Sequence, residues 1–355
     1  MNFLTKRFLA LFCILIAGFS LSLGQNTNTS LRPLAWVTVK RPYGGFIDSL
    51  TVKDIEVQIG KIRLDQISFE QKLLPTTVGL VIDLSSPVKS DQVDRSQRVL
   101  LAAYGFQRFL KASDAGIEYF ISTFDKEYKT LLTPTSDVTQ VSKTLNSLEK
   151  IERGGSQSAA KDALQLSFSN MVGRQSTKKV LIFISEGADV ESSEIKNVNL
   201  SKMKDIAKQS DTILYFIYVL TNDDFSYSPP IGVVDVRPME RKPKQLVREL
   251  MLKQPMELRT HSLMRFQHPS LPYPLTLAAE YEYLAVITGG RMFYPYGQNE
   301  VSLTLEIIAN ELKHQYLLSG EIEALGTPDK FQQLKLKVRN SSQVIVRTRE
   351  GFYLN

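Results

Sequence analysis

The sequence predicts a doubly wound, mostly parallel α/β sheet flanked by a β-sandwich-like domain built from the two ends of the chain. Three observations carry the prediction. Between residues 76 and 315, apolar runs of strand length, such as VGLVID and TILYFIYVL, alternate with segments of helical periodicity. Short runs of alternating apolar and polar residues bracket that block on both sides. At 355 residues the chain is too long for one small core, which points to two domains.

The elements follow in order. Residues 1–24 read as a secretory signal segment: Lys6 and Arg7, then FLALFCILIAGF, then small residues at Ser22 and Gly24, with cleavage expected near Gly24-Gln25. The competing reading is a retained membrane anchor, but the run is short of the ~20 apolar residues that a spanning helix needs. Residues 25–75 form an N-terminal β segment, with Trp36–Val39 and Ile55–Ile59 as strands broken by Pro42-Tyr43-Gly44-Gly45 and Gly60. The α/β domain spans 76–315. Its strands are VGLVID, GIEYFISTF, YKTLLTP, KKVLIFIS, TILYFIYVL and RMFYPYG. Its helices fall at 91–112, 138–148 (with Ser136 as the expected cap), 159–172, 193–209, LTLAAEYEYLAVI and LTLEIIANELKHQ. Residues 223–273 break the rhythm with prolines and the basic run RKPKQLVREL, and read as an insert. Residues 316–355 return to alternating β and are expected to pack with the N-terminal segment, since neither has enough strands to stand alone.

Composition excludes several classes. Cys13 is the only cysteine and lies in the signal segment, so the mature chain has no disulfide and no thiol nucleophile. Export without disulfides suits a bacterial periplasm or cell surface. The net charge is +6, and +4 without Lys6 and Arg7, too mild to argue for nucleic acid. The sequence contains no phosphate-binding G-x-x-x-x-G-K-[ST] loop and no G-x-S-x-G nucleophile elbow. His261, His268 and His314 lack metal-ligand spacing.

Ligands of doubly wound sheets bind at the carboxyl ends of the strands. Three loops at that edge carry oxygen: Asp83, Ser85 and Ser86 in the first, Ser156 and Ser158 in the second, and Ser185, Glu186 and Asp189 in the third. Oxygen-only donors suit Mg²⁺ or Ca²⁺. The opposing reading is that Asp83 and Ser85 cap local backbone and hold no ion.

These loops resemble those of the von Willebrand factor A domain, a Rossmann-like fold, and more narrowly those of the acidobacterial-type exported VWFA-related family. IDLSSP, GGSQSAAKDAL and ISEGAD stand where that family reads D-T-S-G-S, G-G-T-A-L-Y-D-A and L-S-D-G-E-D. ITGGRMFYP, ELKHQYLLSG, KVRNSSQVIVRTREGFY and GGFIDSLTVKDIEV echo four further family motifs in order. The resemblance implies a metal-ion-dependent adhesion site made from Asp83, Ser85, Ser158 and Glu186. It is degenerate, because Pro87 occupies the second hydroxyl position and Glu186 is one methylene longer than the usual aspartate. No cofactor is expected beyond weakly held Ca²⁺ or Mg²⁺.

The function expected from these readings is an exported, non-enzymatic protein-binding or adhesion module using the carboxyl edge of the sheet. Ser86, Ser156 and Asp189 are partner-binding candidates there. The alternative is a structural or assembly component of the cell envelope that binds through the insert, where Arg241, Lys242, Lys244 and Arg248 are the candidates. The partner in either case is another protein or an envelope polymer. A metal-assisted hydrolase is disfavoured, since the site has lost ligands.

Overall fold

The computed structural model describes residues 31–42, 45–85, 93–113, 116–151, 158–185, 200–219, 275–295, 297–321, 330–339 and 344–353. The expected signal segment and the 223–273 insert lie outside these residues, as do Ser86, Pro87, Ser156, Glu186 and Asp189.

The N-terminal segment contributes β1 (Arg32–Lys40), β2 (Ile55–Ile59), β3 (Ile62–Leu64) and β4 (Ile67–Gln71). The α/β block follows as β5 (Thr76–Asp83), α1 (Val93–Ala112), β6 (Ile117–Phe124), β7 (Tyr128–Thr135), α2 (Val138–Ser147), α3 (Ala160–Val172), β8 (Lys178–Ser185), α4 (Leu200–Gln209) and β9 (Thr212–Tyr218). It closes with α5 (Leu275–Ile287), β10 (Arg291–Phe293) and α6 (Gly297–Lys313). The C-terminal segment adds β11 (Tyr316–Gly320), β12 (Phe331–Val338), β13 (Ile345–Arg347) and β14 (Gly351–Tyr353).

The central sheet has the order β10-β9-β8-β5-β6-β7. All neighbours run parallel except the edge strand β7, which is antiparallel to β6. Strand residues alternate between two cores. Val78, Leu80, Ile82, Ile182 and Tyr215 face α1, α2 and α6, which supply Phe106, Val141 and Leu305. Val81, Leu181, Phe183 and Phe216 face α3, α4 and α5, which supply Phe168, Met203 and Leu284. Both faces being covered explains why these strands read as continuous apolar runs. Gly79 is required by that packing, since a Cβ there would lie 2.2 Å from the Phe120 ring. The cap of α2 is Asp137 rather than Ser136: the Asp137 carboxylate accepts from the backbone N–H of Thr139 and Gln140. A carboxylate at that place satisfies two orphan donors and also complements the helix dipole.

The two ends of the chain interleave in two antiparallel sheets, β13-β1-β11-β4 and β14-β12-β2-β3. β1 pairs with β11, and β2 with β12. Val37, Val39, Ile55, Val57, Tyr316, Leu318, Leu334 and Phe352 form their shared core. The alternating pattern of these segments predicts one wet face per sheet. β2 and β12 follow it, but β1 from Leu34 to Val39 and β11 along its whole length are buried on both faces. The second face of β1 and β11 meets the α/β block, where Trp36 and Leu317 join the core of α1 and α6.

Three polar contacts lock that contact. Trp36 Nε1 donates to Thr177 O at 3.4 Å, and Lys178 lies 4.0 Å over the Trp36 ring while donating to Leu312 O at 2.7 Å. Arg349 binds Asp211, Lys208 O and Gly351 O. The third contact is buried. Glu311 of α6, 0% exposed, pairs with Arg291 of β10 at 2.9 Å and with Arg347 of β13, and accepts from the Tyr215 hydroxyl of β9 at 2.7 Å. Burial alone would raise the Glu311 pKa, but Arg347 and Arg291 outweigh it and hold the carboxyl at about 2.

A folded-state pKa below the ordinary 4.5 means that this carboxylate stabilises the protein above about pH 4.5, and that the contribution is lost as pH falls toward 2. The full shift corresponds to roughly 3 kcal/mol. Chemical denaturation of wild type and Glu311→Gln should therefore differ by about 3–5 kcal/mol at neutral pH. The difference should narrow as the pH approaches 2. A difference that is flat between neutral pH and pH 2 would contradict the assignment.

Candidate functional site

The chain places β6 and β7 on one side of β5, and β8, β9 and β10 on the other. β5 and β8 are thus neighbours whose chain connections leave in opposite directions, which opens a crevice at their carboxyl ends. Asp83 ends β5 and Ser185 ends β8. Both lie at that edge of the sheet, buried, 1% and 0% exposed.

Asp83 is held by donors on both carboxylate oxygens. Oδ1 accepts from the Ser85 backbone N–H at 2.9 Å and from the Ser85 hydroxyl at 2.6 Å. Oδ2 accepts from the Ser185 hydroxyl at 2.7 Å. A buried carboxylate needs several such donors to remain charged. Ser185 is the partner that sequence reasoning undervalued. It was visible as an oxygen at the third loop, but the signal for a direct bond was the parallel register, which pairs Ile82 with Ile184 and so brings the next residues side by side.

Ser158 reaches the same edge through two backbone links. Leu84 N–H donates to Phe124 O at 2.8 Å, and Ala159 N–H donates to Asp125 O at 2.8 Å. The Ser158 hydroxyl is buried and, among the described residues, has no hydrogen-bond partner. It also plays no capping role, because the N-cap of α3 is Ala159, with no side-chain bond. A buried orphan hydroxyl costs about 1–3 kcal/mol, and a ligand oxygen-seeking group would relieve it. Of the predicted metal set, the structure thus describes Asp83, Ser85 and Ser158. Glu186, with Ser86, Ser156, Asp189 and the four basic residues of the insert, lies outside the described residues. Among the histidines, His314 stacks on Phe46 at 4.8 Å and bonds Asp48 at 2.8 Å, so it joins α6 to the sandwich and not to this site.

Residues 78–188 match the family model of the von Willebrand factor type A domain. That span runs from within β5 to three residues past the end of β8. No curated protein matches the chain. Among solved structures, it is similar to an aerotolerance-related membrane protein of Bacteroides fragilis NCTC 9343, with 14% identity over 67% of this chain and 98% of that one, at a TM-score of 0.41. It is similar to BatB of Bacteroides thetaiotaomicron, with 14% identity over 68% and 97%, at a TM-score of 0.39. A pilus adhesin, SpaC of Lactobacillus rhamnosus GG, shows 10% identity over 83% and 47%, at a TM-score of 0.42. At these scores the likenesses bear on neither ligand nor partner.

Two substitutions separate the roles at the crevice. Asp83→Ala strips the acceptor from two hydroxyls and one buried amide, and should lower stability by about 2–4 kcal/mol in urea titrations. Ser158→Ala removes only an orphan, and should leave the ligand-free protein unchanged or more stable by up to about 1 kcal/mol. Ser158→Ala destabilising the protein as much as Asp83→Ala would show that its hydroxyl is bonded.

Proposed function

We propose that this chain is an exported, non-enzymatic binding module of the VWFA-related kind. Its A-type domain, residues 76–315, would be carried on the sandwich of residues 25–75 and 316–355. The module engages a partner protein or envelope polymer through the carboxyl edge of the sheet. The observation that carries the reading is the Asp83–Ser85–Ser185 cluster at the switch point of the sheet, with the unpartnered Ser158 hydroxyl at the same edge. The family match over the same loops supports it. Asp83 already accepts three hydrogen bonds, so it is not poised as a general base, and this argues against hydrolysis.

The donor set fits a divalent cation in part. The Ser85 hydroxyl donates to Asp83 and keeps lone pairs to offer, and the Ser158 hydroxyl is unengaged. Both are hard oxygen donors, and a bound cation would supply an attachment point for an oxygen of the partner. Pro87 contributes no hydroxyl, and Glu186 has a longer arm than aspartate. Ca²⁺ tolerates an irregular cage better than Mg²⁺, so the site is degenerate and weak, with Ca²⁺ preferred.

Calorimetry with Mg²⁺ should give little or no heat for the wild-type protein. Pro87→Ser combined with Glu186→Asp should create binding, read as heat and as a metal-dependent rise in Tm. Wild-type Mg²⁺ affinity in the micromolar range would show an intact site and overturn the degenerate reading. Capture of an envelope partner should be lost in Ser86→Arg or Asp189→Arg. Loss on deleting 223–273 instead, with those two variants unaffected, would replace this reading by the envelope-assembly role of the insert.

A further inference from the structure

A cleft of about 730 Å³ lies between the C-terminal half of α5 and the β12–β13 side of the sandwich, well away from the Asp83 crevice. Two sheet edges line it, since β10 is the outermost strand of the central sheet and β13 the outermost strand of its own. Its wall carries apolar side chains open to solvent: Tyr283 is 40% exposed, Val286 50% and Ile345 36%. Lys335 stands exposed in the same lining.

The described wall carries Lys40, Arg291, Lys335, Arg347 and Arg349 against Glu282 and Glu350, so basic side chains outnumber acidic ones. Arg291 and Arg347 both line it, and both point their charge at the single carboxylate of Glu311. The other oxygen of Glu311 takes the Tyr215 hydroxyl. Two guanidiniums share that one carboxylate, with Arg291 only 8% exposed, and Glu282 and Glu350 of the same lining offset part of their charge. Among the described residues, the buried Arg347 Nη1 has no hydrogen-bond partner. A buried donor left unused is costly and is relieved by an anionic acceptor.

We propose that this cleft binds an acidic, extended peptide segment of a partner protein. Successive side chains of an extended chain point to opposite sides, so acidic residues can meet Lys335 and Arg347 while apolar ones cover Tyr283 and Val286. The outermost strand β13, which is partly exposed, offers backbone along which such a segment aligns. A polyanion without apolar groups would leave Tyr283, Val286 and Ile345 in water, which favours peptide over polyphosphate or nucleic acid. The inference is independent of the carboxyl-edge reading, because the cleft shares no residue with that crevice.

Fluorescence anisotropy on the full chain tests it, with a labelled peptide of alternating glutamate and leucine as probe. The peptide should bind, more weakly as salt rises. Lys335→Glu and Val286→Asp, both at exposed positions, should each weaken binding about tenfold or more, while Lys53→Glu, exposed elsewhere, should not. The proposal is overturned if the peptide does not bind, if its glutamine counterpart binds equally well, if polyphosphate binds in its place, or if Lys335→Glu has no effect.

Discussion

Glu311 is the residue on which the assembly of this molecule turns. It sits on the last helix of the α/β block, fully buried, and is bonded to groups from three strands in two different sheets. β9 and β10 belong to the central sheet and β13 to the sandwich, so one carboxylate fixes both the edge of the sheet and the docking of the chain's last strands. Burying an ion cluster is not in itself strongly stabilising, but breaking one is severely destabilising. The cluster therefore acts mainly as a constraint on arrangement: alternatives in which β13 or α6 is displaced strand a buried charge. Gln315 extends the same network, donating to Thr38 of β1 at 3.2 Å and to the Tyr215 hydroxyl at 3.4 Å.

The constraint has a consequence at each end of the molecule. At the amino end of the central sheet, Trp36, Lys178, Arg349 and Asp211 hold the sandwich against the block. The carboxyl end of the sheet is left facing away from that joint, and there the order of strands opens the crevice around Asp83 and Ser185. On the proposed reading, the binding edge lies opposite the joint that carries it. Arg291 and Arg347, which fix the joint, also line the neighbouring cleft, where basic side chains outnumber acidic ones.

Much of the fold was legible in the sequence because the central strands have no wet face. Runs such as VLIFIS and TILYFIY can be satisfied only between two helical layers, and local periodicity reports that directly. The place of Asp83 and Ser85 was legible for a related reason: a carboxylate and hydroxyl directly after a buried strand stand at the carboxyl edge of such a sheet. Less was legible where a side chain answers to a distant element. The cap of α2 was misplaced by one residue, since Ser136 and Asp137 both suit the position and only the helix's starting phase distinguishes them. The double burial of β1 and β11 was not foreseen, because alternation in a single strand marks one covered face and is silent about a second domain.

The sequence by itself determined the class of fold, the order of its elements and the three oxygen-bearing loops, since each follows from local patterns of polarity repeated along the chain. Tertiary structure alone decided what those loops and ends do with one another. The partnership of Asp83 with Ser185 spans 102 residues, that of Arg347 with Glu311 joins the last helix of the α/β block to a strand of the sandwich, and the unpartnered state of the Ser158 hydroxyl among the described residues is defined only by its surroundings. Such relations depend on strand order and register, which place residues far apart in the chain within bonding distance, and no local periodicity encodes them.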